Sequence, residues 1–304
     1  MNRQAGFVLV NALVIVTAMA GAAVFLLSRA EGGRARLEAS QTAGQLTYYL
    51  DAFDALAMTV LNSDLNTSTS DHLKEPWANT DIAVPLDRGK VAGAIADQQG
   101  LFNLNWLNDT TFDAAQSGFD ALLVRAGLSP RVGDVIRDFI QPGGPENKRS
   151  FAAHSPAVLP VGGALLFLDQ INDIPGLRAQ DRYRLRSVTT AIPGSTPVNI
   201  NTASVDLLVS LIPQVPSALL YQILNTRQTE PFGSIDSFLD ALKERLGDDL
   251  PEDFPTGRLT VSSDWFQIDA TAELENQTAR RTTMMFRIGR QTGTLVRWQI
   301  SHFD

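Results

Sequence analysis

The chain has no cysteine among its 304 residues. That removes disulfides, thiolate metal sites and thiol nucleophiles, and it leaves the redox compartment open, because an exported chain can do without bridges. Histidine is scarce as well. His72, His154 and His302 stand in loops or at the terminus, and no H-E-x-x-H or G-x-S-x-G pattern accompanies them. No catalytic constellation is read from them. Positive charge is in deficit, 25 Lys and Arg against 33 Asp and Glu, for a net charge of -8 and a pI near 4.9. This argues against nucleic acid or an anionic membrane surface as the main partner. Yet 44% of the residues are hydrophobic, so the chain is not disordered overall.

Long apolar runs are missing too, with one exception. Residues 7–27 carry no charge and directly follow the polar leader Met1-Asn-Arg-Gln-Ala-Gly6. A helix of 21 residues at a rise of about 1.5 Å each spans roughly 31 Å, enough to cross bilayer hydrocarbon. A secretory signal peptide also begins with a basic residue and an apolar core. Here, however, the run is longer than such a core, and Ser28-Arg29-Ala30-Glu31 follows it in place of a small-x-small cleavage site. One membrane helix is expected.

The Gly6-Phe7 boundary resembles the processing site of type IV pilins and type II secretion pseudopilins. In those families a dedicated peptidase cuts after the glycine and methylates the new amino terminus, which implies processing between Gly6 and Phe7. The fifth residue after that cut is glutamate in most of the family and pairs with the amine of a neighbouring subunit; here it is Asn11. An unpaired carboxylate in hydrocarbon costs roughly several kcal/mol, so a subunit with no neighbour to pair should lose it. A subunit at a fibre tip is in that position, and the loss resembles the minor pseudopilin K family of the type II secretion system. Charge alone leans the other way on orientation: Arg3 and the amine precede the span, while Arg29, Arg34 and Arg36 follow it, diluted by Glu31 and Glu38. The resemblance implies an N-terminus inside the cell.

Beyond the span, Leu37, Leu46, Tyr49, Leu50, Phe53, Leu56, Ala57, Val60 and Leu61 recur at helical spacing. Residues 28–66 are therefore read as an amphipathic continuation of the helix, with Gly32 and Gly33 loosening the junction and Asp51 and Asp54 on a solvated face. Residues 62–81, rich in Ser, Thr, Asn and Asp, suggest a loop, and 90–96 a strand. In Gly100-Leu-Phe-Asn-Leu-Asn105, apolar residues alternate with asparagine after a glycine, as where a strand breaks off and side-chain amides satisfy backbone groups. The segment resembles the Gly-Arg-Phe-Asn-Leu-Asn signature of the K pseudopilins through Gly100, Phe102, Asn103 and Asn105.

Residues 109–250 are predicted to form an inserted all-α domain. Thr110 with Asp113 reads as a capping box for a helix ending at Gly127, and Ser129-Pro130 starts another that stops at Gln141-Pro-Gly-Gly-Pro145. The resemblance places an acidic calcium loop there. Only Asp138 and Glu146, with Asn147, remain in this chain, whereas calcium takes roughly six to eight oxygens, so a solvated loop without a cofactor is expected. Short helices follow at 167–174 and 180–190. In Pro197-Val-Asn-Ile-Asn-Thr-Ala-Ser204, Asn201 or Thr202 is the expected cap of a helix over 203–211, and a second helix follows to Arg227. Asn199 and Asn201 match the K pseudopilins at this point, and the pair of helices also resembles a helix-hairpin-helix module. DNA-binding hairpins keep glycine amides at the turn, but this turn reads Ile212-Pro-Gln-Val-Pro-Ser217, so a structural hairpin without phosphate contacts is expected. One more helix follows Ser234, with Leu239, Leu242 and Leu246 on a common face and Gly247 as cap.

Strand periodicity returns at 265–275, 278–288 and 295–300, an antiparallel meander with one wet face. The expected fold is α+β: leader 1–6, membrane helix 7–27, its continuation 28–66, a first part of a pilin-like domain at 67–108, the insert 109–250, and the meander 251–304 that completes the pilin-like domain. The resemblance covers essentially the whole chain. It implies a structural subunit at the tip of a pseudopilus, anchored in the bacterial inner membrane with its bulk in the periplasm. The implied partners are minor pseudopilins I and J, with pseudopilin H, the prepilin peptidase, the secretin and exported substrate as further contacts. A membrane-tethered DNA-uptake protein is the rival reading.

Overall fold

The structure is a computed structural model that describes residues 3–79, 82–144, 149–153, 155, 157–247, 250–251, 254–289 and 292–303. It begins with one helix, α1, Arg3–Thr67, of 65 residues. Gly32 and Gly33 do not loosen it. A glycine costs only about 1 kcal/mol in a helix, and the Ala, Leu, Arg and Glu around the pair keep the hydrogen-bond ladder cooperative. The helix also runs past the expected start of the loop at 62. Asn66 and Thr67 fold their side chains back onto the helix's own carbonyls, at Asn62 and Asp64.

The C-terminal part of α1 lies on a five-stranded antiparallel sheet. Its strands are β1, Ile82–Leu86; β2, Gly89–Asp97; and, at the far end of the chain, β7, Trp265–Leu274, β8, Gln277–Gly289, and β9, Gly293–Phe303, in the order β1-β2-β7-β8-β9. The register pairs Ile95 with Ile268 and Val91 with Ala272. Phe266, Ile268, Ala270, Ala272 and Leu274 face inward as the alternation predicted, against Leu46, Leu50, Phe53, Ala57 and Leu61 of α1. Gly93 of β2 is required for this contact, since a Cβ there would sit 2.8 Å from the Phe53 ring. Strand β1 was not foreseen; the proline in Ile-Ala-Val-Pro-Leu suits the edge position it takes.

Between β2 and β7 lies the insert, with a hydrophobic core of its own. It is not all-α. Strand β3, Phe102–Asn103, pairs in parallel with β4, Thr189–Thr190, and β5, Val198–Asn199, with β6, Leu259–Thr260. Two-residue strands carry no periodic signal, which is why the pattern of residues 100–105 pointed to an ending and not to a pairing. The helices are α2, Ala114–Arg125; α3, Pro130–Ile140; α4, Arg149–Ala152; α5, Ala179–Arg186; α6, Val205–Leu211; α7, Ser217–Thr226; and α8, Ile235–Leu246. Ser129 caps α3 and Ser234 caps α8 as expected, through the Arg131 and Ser237 amides.

Three local expectations are corrected. The Thr110–Asp113 box does not form: Asp113 is already helical and makes no side-chain cap, while Asp109 accepts from the Thr111 amide and hydroxyl at 2.9 and 2.6 Å. Helix α6 is capped by Ser204, whose Oγ accepts from the Leu207 amide at 3.1 Å, because Asn201 and Thr202 are engaged elsewhere. The helix expected to reach Thr190 stops at Arg186, freeing Thr189 and Thr190 to pair with β3.

Candidate assembly helix and polar seam

The exposed element of the molecule is the N-terminal half of α1. Val10, Leu13, Val14, Ile15, Val16, Val24, Phe25, Leu26 and Leu27 all point away from the fold, and the helix is long and apolar enough to cross a membrane. Asn11 lies on this bare rod, exposed. Gly6 and Phe7 belong to the helical backbone of its first turns, and the Phe7 side chain lies outside what is described.

At the other end of α1 a buried polar seam joins the sheet to the insert. Asp97 closes β2 and accepts from the Gln99 amide at 2.7 Å, the Ser263 hydroxyl at 2.7 Å, the Thr202 hydroxyl, and Asn199 Nδ2 at 3.3 Å. Asn199 also donates to the carbonyl of Asp71, at 3.1 Å, in the loop after α1. Burial pushes the Asp97 carboxyl up to about 6, the hydroxyl and amide donors opposing it. Gly100 follows where no side chain fits, its missing Cβ being 2.9 Å from Thr202 Oγ1.

The two apolar-Asn-apolar-Asn segments do the same job twice. In each, the first asparagine accepts from the amide of the second: Asn103 from Asn105 at 3.1 Å, Asn199 from Asn201 at 2.9 Å. The second then clamps a distant residue through both its amide and its carbonyl. Asn105 holds Leu165 at 2.7 and 3.0 Å, and Asn201 holds Phe232 at 2.9 Å in both directions. Each segment also supplies one strand of a parallel pair and leads into a helical hairpin, α2–α3 or α6–α7. The insert thus contains two similar strand-and-hairpin units, with α4, α5 and α8 outside them. The two units meet along α2 and α6, where Gly118 lets the Leu211 side chain and the Ser210 carbonyl approach. Phe102 anchors the first unit, stacked on Phe119 at 5.0 Å and edge-on to Trp106 at 5.1 Å.

Two arginines of β8 complete the framework. Arg281 donates from Nη1 to Asp51 at 2.5 Å and to Asp54 at 3.1 Å. Asp54, expected on a solvated face, is buried, and burial raises its pKa against the pull of Arg281, Thr283 and Gln299. Arg287 lies 4.8 Å over the Phe266 ring and bonds Asp64 at 2.9 Å and Asp71 at 2.5 Å. Burial and the neighbouring Glu75 and Asp71 push Asp64 up to about 6. None of these ion pairs was foreseen. A usable signal existed, since Arg281 and Arg287 fall in the inward phase of β8 with Ala279, Thr283 and Met285.

Of the two calcium candidates, Asp138 and Glu146, only Asp138 lies among the described residues, exposed on α3. His154 also lies outside them, while His72 and His302 stand in separate elements. At the second hairpin Arg227 turns inward, donating to the carbonyls of Ile200 and Ala203, and its burial lowers its pKa to about 10.

Comparison with known proteins agrees with this architecture. Residues 198–261 match the family model described as type II secretion system protein K. The type II secretion system protein K of Aeromonas hydrophila is 26% identical over 325 aligned positions, covering 94% of this chain and 94% of that protein. Its counterpart from Pseudomonas aeruginosa is 26% identical over 264 positions, covering 79% of this chain and 78% of that protein. Among solved structures, a chain of the GspK-GspI-GspJ complex from the enterotoxigenic Escherichia coli type 2 secretion system superposes with a TM-score of 0.74. It covers 88% of this chain and 99% of that chain at 24% identity, a likeness of fold. The resemblance to protein K of the type II secretion system is borne out by these matches, the family model falling on the segment that begins with Val198 and Asn199.

Proposed function

We propose that this relative of the protein K pseudopilins is a structural subunit that closes the tip of a type II secretion pseudopilus. It catalyses no reaction in this reading. The observation that carries it is the position of the insert. The seam residues Asp64 and Asp71, at the end of α1 opposite its apolar half, are the ones that meet Arg287, Val261 and Asn199, so the insert is docked at the end of the rod away from the membrane. A subunit stacking further along the axis would meet this bulk. Asn11 supports the same reading, because a subunit with no neighbour above it needs no carboxylate in hydrocarbon.

In this account residues 1–6 are removed by a prepilin peptidase, residues 7–27 anchor the chain in the inner membrane, and the sheet and insert lie in the periplasm. The I and J pseudopilins join their helices to α1, as their presence beside GspK in the similar complex suggests. Pseudopilin H, the secretin and exported proteins are its further contacts. The net charge of -8 and the inward turn of Arg227 both weigh against nucleic acid as a partner.

Intact mass of the chain extracted from membranes, with and without the peptidase, tests the first step. Loss of residues 1–6 with gain of one methyl group is expected, and Gly6→Leu should leave the chain uncut. An uncut wild-type chain would overturn the assignment. For the tip role, deleting 109–250 should abolish secretion while Asn11→Glu should reduce it less; the reverse order would count against it.

A further inference from the structure

Asp64, Asp71 and Glu75 converge where α1 ends and the following loop turns back beneath it. One oxygen from each lies within 4.8 Å of the others. Their side chains are 7%, 3% and 7% exposed. A fourth carboxylate, Asp264, lines the cleft of about 280 Å³ that opens onto Asp64 and Asp71. Against this group stands one guanidinium. Arg287 donates to Asp64 and Asp71 and spends its Nε and Nη2 on the carbonyl of Ser263. One positive charge therefore faces three buried carboxylates.

Glu75 supplies the independent observation. Its Oε2 accepts from Trp77 Nε1 at 2.7 Å and from the His72 amide at 3.0 Å. Its Oε1 is fully buried and has no hydrogen-bond partner among the described residues; His72 Nε2 is 3.9 Å away, beyond hydrogen-bonding distance. Buried acceptors are seldom left in that state, and a buried anion requires a positive partner. Oxygens within 4.8 Å of one another fit around a shared ion at the 2.3–2.6 Å typical of calcium, roughly twice that distance separating opposed ligands.

We propose that Asp64, Asp71 and Glu75 form a divalent-cation site, calcium by its all-oxygen donors, at the junction of the pilin-like domain with the insert. This site is separate from the loop that holds Asp138. Its role follows from what the loop carries. Asp71 accepts from the Ser263 amide and, through its own carbonyl, from Asn199, and Lys74 Nζ donates to the Thr229 carbonyl at 2.9 Å. A cation bridging Asp64 of α1 to Asp71 and Glu75 of the loop fixes the segment on which the insert is docked.

Trp77 provides a reporter because its indole bonds Glu75 directly. Terbium, which occupies calcium sites, is titrated into the full chain in detergent micelles with excitation of tryptophan. Sensitised luminescence that calcium displaces is expected, and Trp77→Phe should remove most of it while calcium still raises the melting temperature. Glu75→Gln, which preserves shape, should weaken calcium at least tenfold, and Asp138→Asn should leave the affinity unchanged. Absence of any calcium-dependent rise in the wild-type melting temperature would overturn the proposal whatever the variants do. So would an affinity that survives Glu75→Gln or disappears with Asp138→Asn. Should Glu75→Gln fail to fold, Asp64→Asn carries the same expectation. Stabilisation by protons alone, without response to calcium, would make the cluster a proton site and sink the cation reading.

Discussion

Gly100 backs onto Thr202 so closely that a Cβ on the glycine would lie 2.9 Å from Thr202 Oγ1 and 3.1 Å from its backbone carbonyl carbon. Thr202 cannot withdraw, because its hydroxyl donates to the buried Asp97. Gly100→Ala should destabilise the chain by about 1–3 kcal/mol, the range for overpacking a filled site. Urea unfolding of the full chain in micelles measures it. Thr202→Ala should recover only part of the loss, since the backbone contact stays, and complete recovery would show that the hydroxyl alone sets the constraint.

Asn201 and Asn105 should both be costly to remove, Asn105 somewhat more so. Each satisfies both the amide and the carbonyl of one distant residue, Phe232 or Leu165, and Asn105 also donates to the Ile192 carbonyl at 2.8 Å, so truncation to alanine takes the partner from two backbone groups at Asn201 and from three at Asn105. The expected loss is roughly 2–3 kcal/mol at either position. A larger loss for Asn201→Ala than for Asn105→Ala in the same unfolding assay would count against the likeness of the two units.

Arg281→Met should cost more, about 3–5 kcal/mol, because it leaves Asp54 buried without its cation. Adding Asp54→Asn to that variant should restore a substantial part. Double-mutant thermal melts would show this as a strong positive coupling, and additive losses would mean that Thr283 and Gln299 already satisfy the carboxylate.

Acid should stabilise the seam before it harms the rest. The Asp97 carboxyl stands at about 6 in the folded chain, against an unfolded value near 3.9. The folded state therefore binds the extra proton between these values, and the contribution of Asp97 to stability rises as pH falls through 6 and is complete below about 4. The shift corresponds to at most about 3 kcal/mol. The difference in stability between wild type and Asp97→Asn, followed from pH 7.5 to 4, should move in the wild type's favour as pH falls. A flat difference would mean that Asp97 is not perturbed.

Much of this was legible in the residue order. The apolar run that fills the first half of α1, the inward phase of β7, and the caps Ser129 and Ser234 are set by neighbours within a few residues, so a local window contains their cause. The Gly100-to-Asn105 and Val198-to-Asn201 segments could be picked out as special for the same reason, since glycine and asparagine at fixed spacing declare backbone irregularity. Their task could not be read. Asn105 finds Leu165 and Asn201 finds Phe232 only after intervening helices have folded back, and β3 meets β4 across more than eighty residues, roughly a quarter of the chain. The same holds for charge. Asp54 reads as a solvated helix residue because it is a carboxylate, although it stands four residues after Leu50 and three before Ala57 beside the buried stripe, and only the packing of α1 on β8 brings Arg281 to it. The sequence by itself determined the apolar rod, the alternation of the sheet and the order of elements, because these rest on local periodicity and on transfer of apolar surface from water. Tertiary structure alone decided which polar groups would be buried together at the far end of the rod, because that depends on chain segments meeting that no local pattern couples.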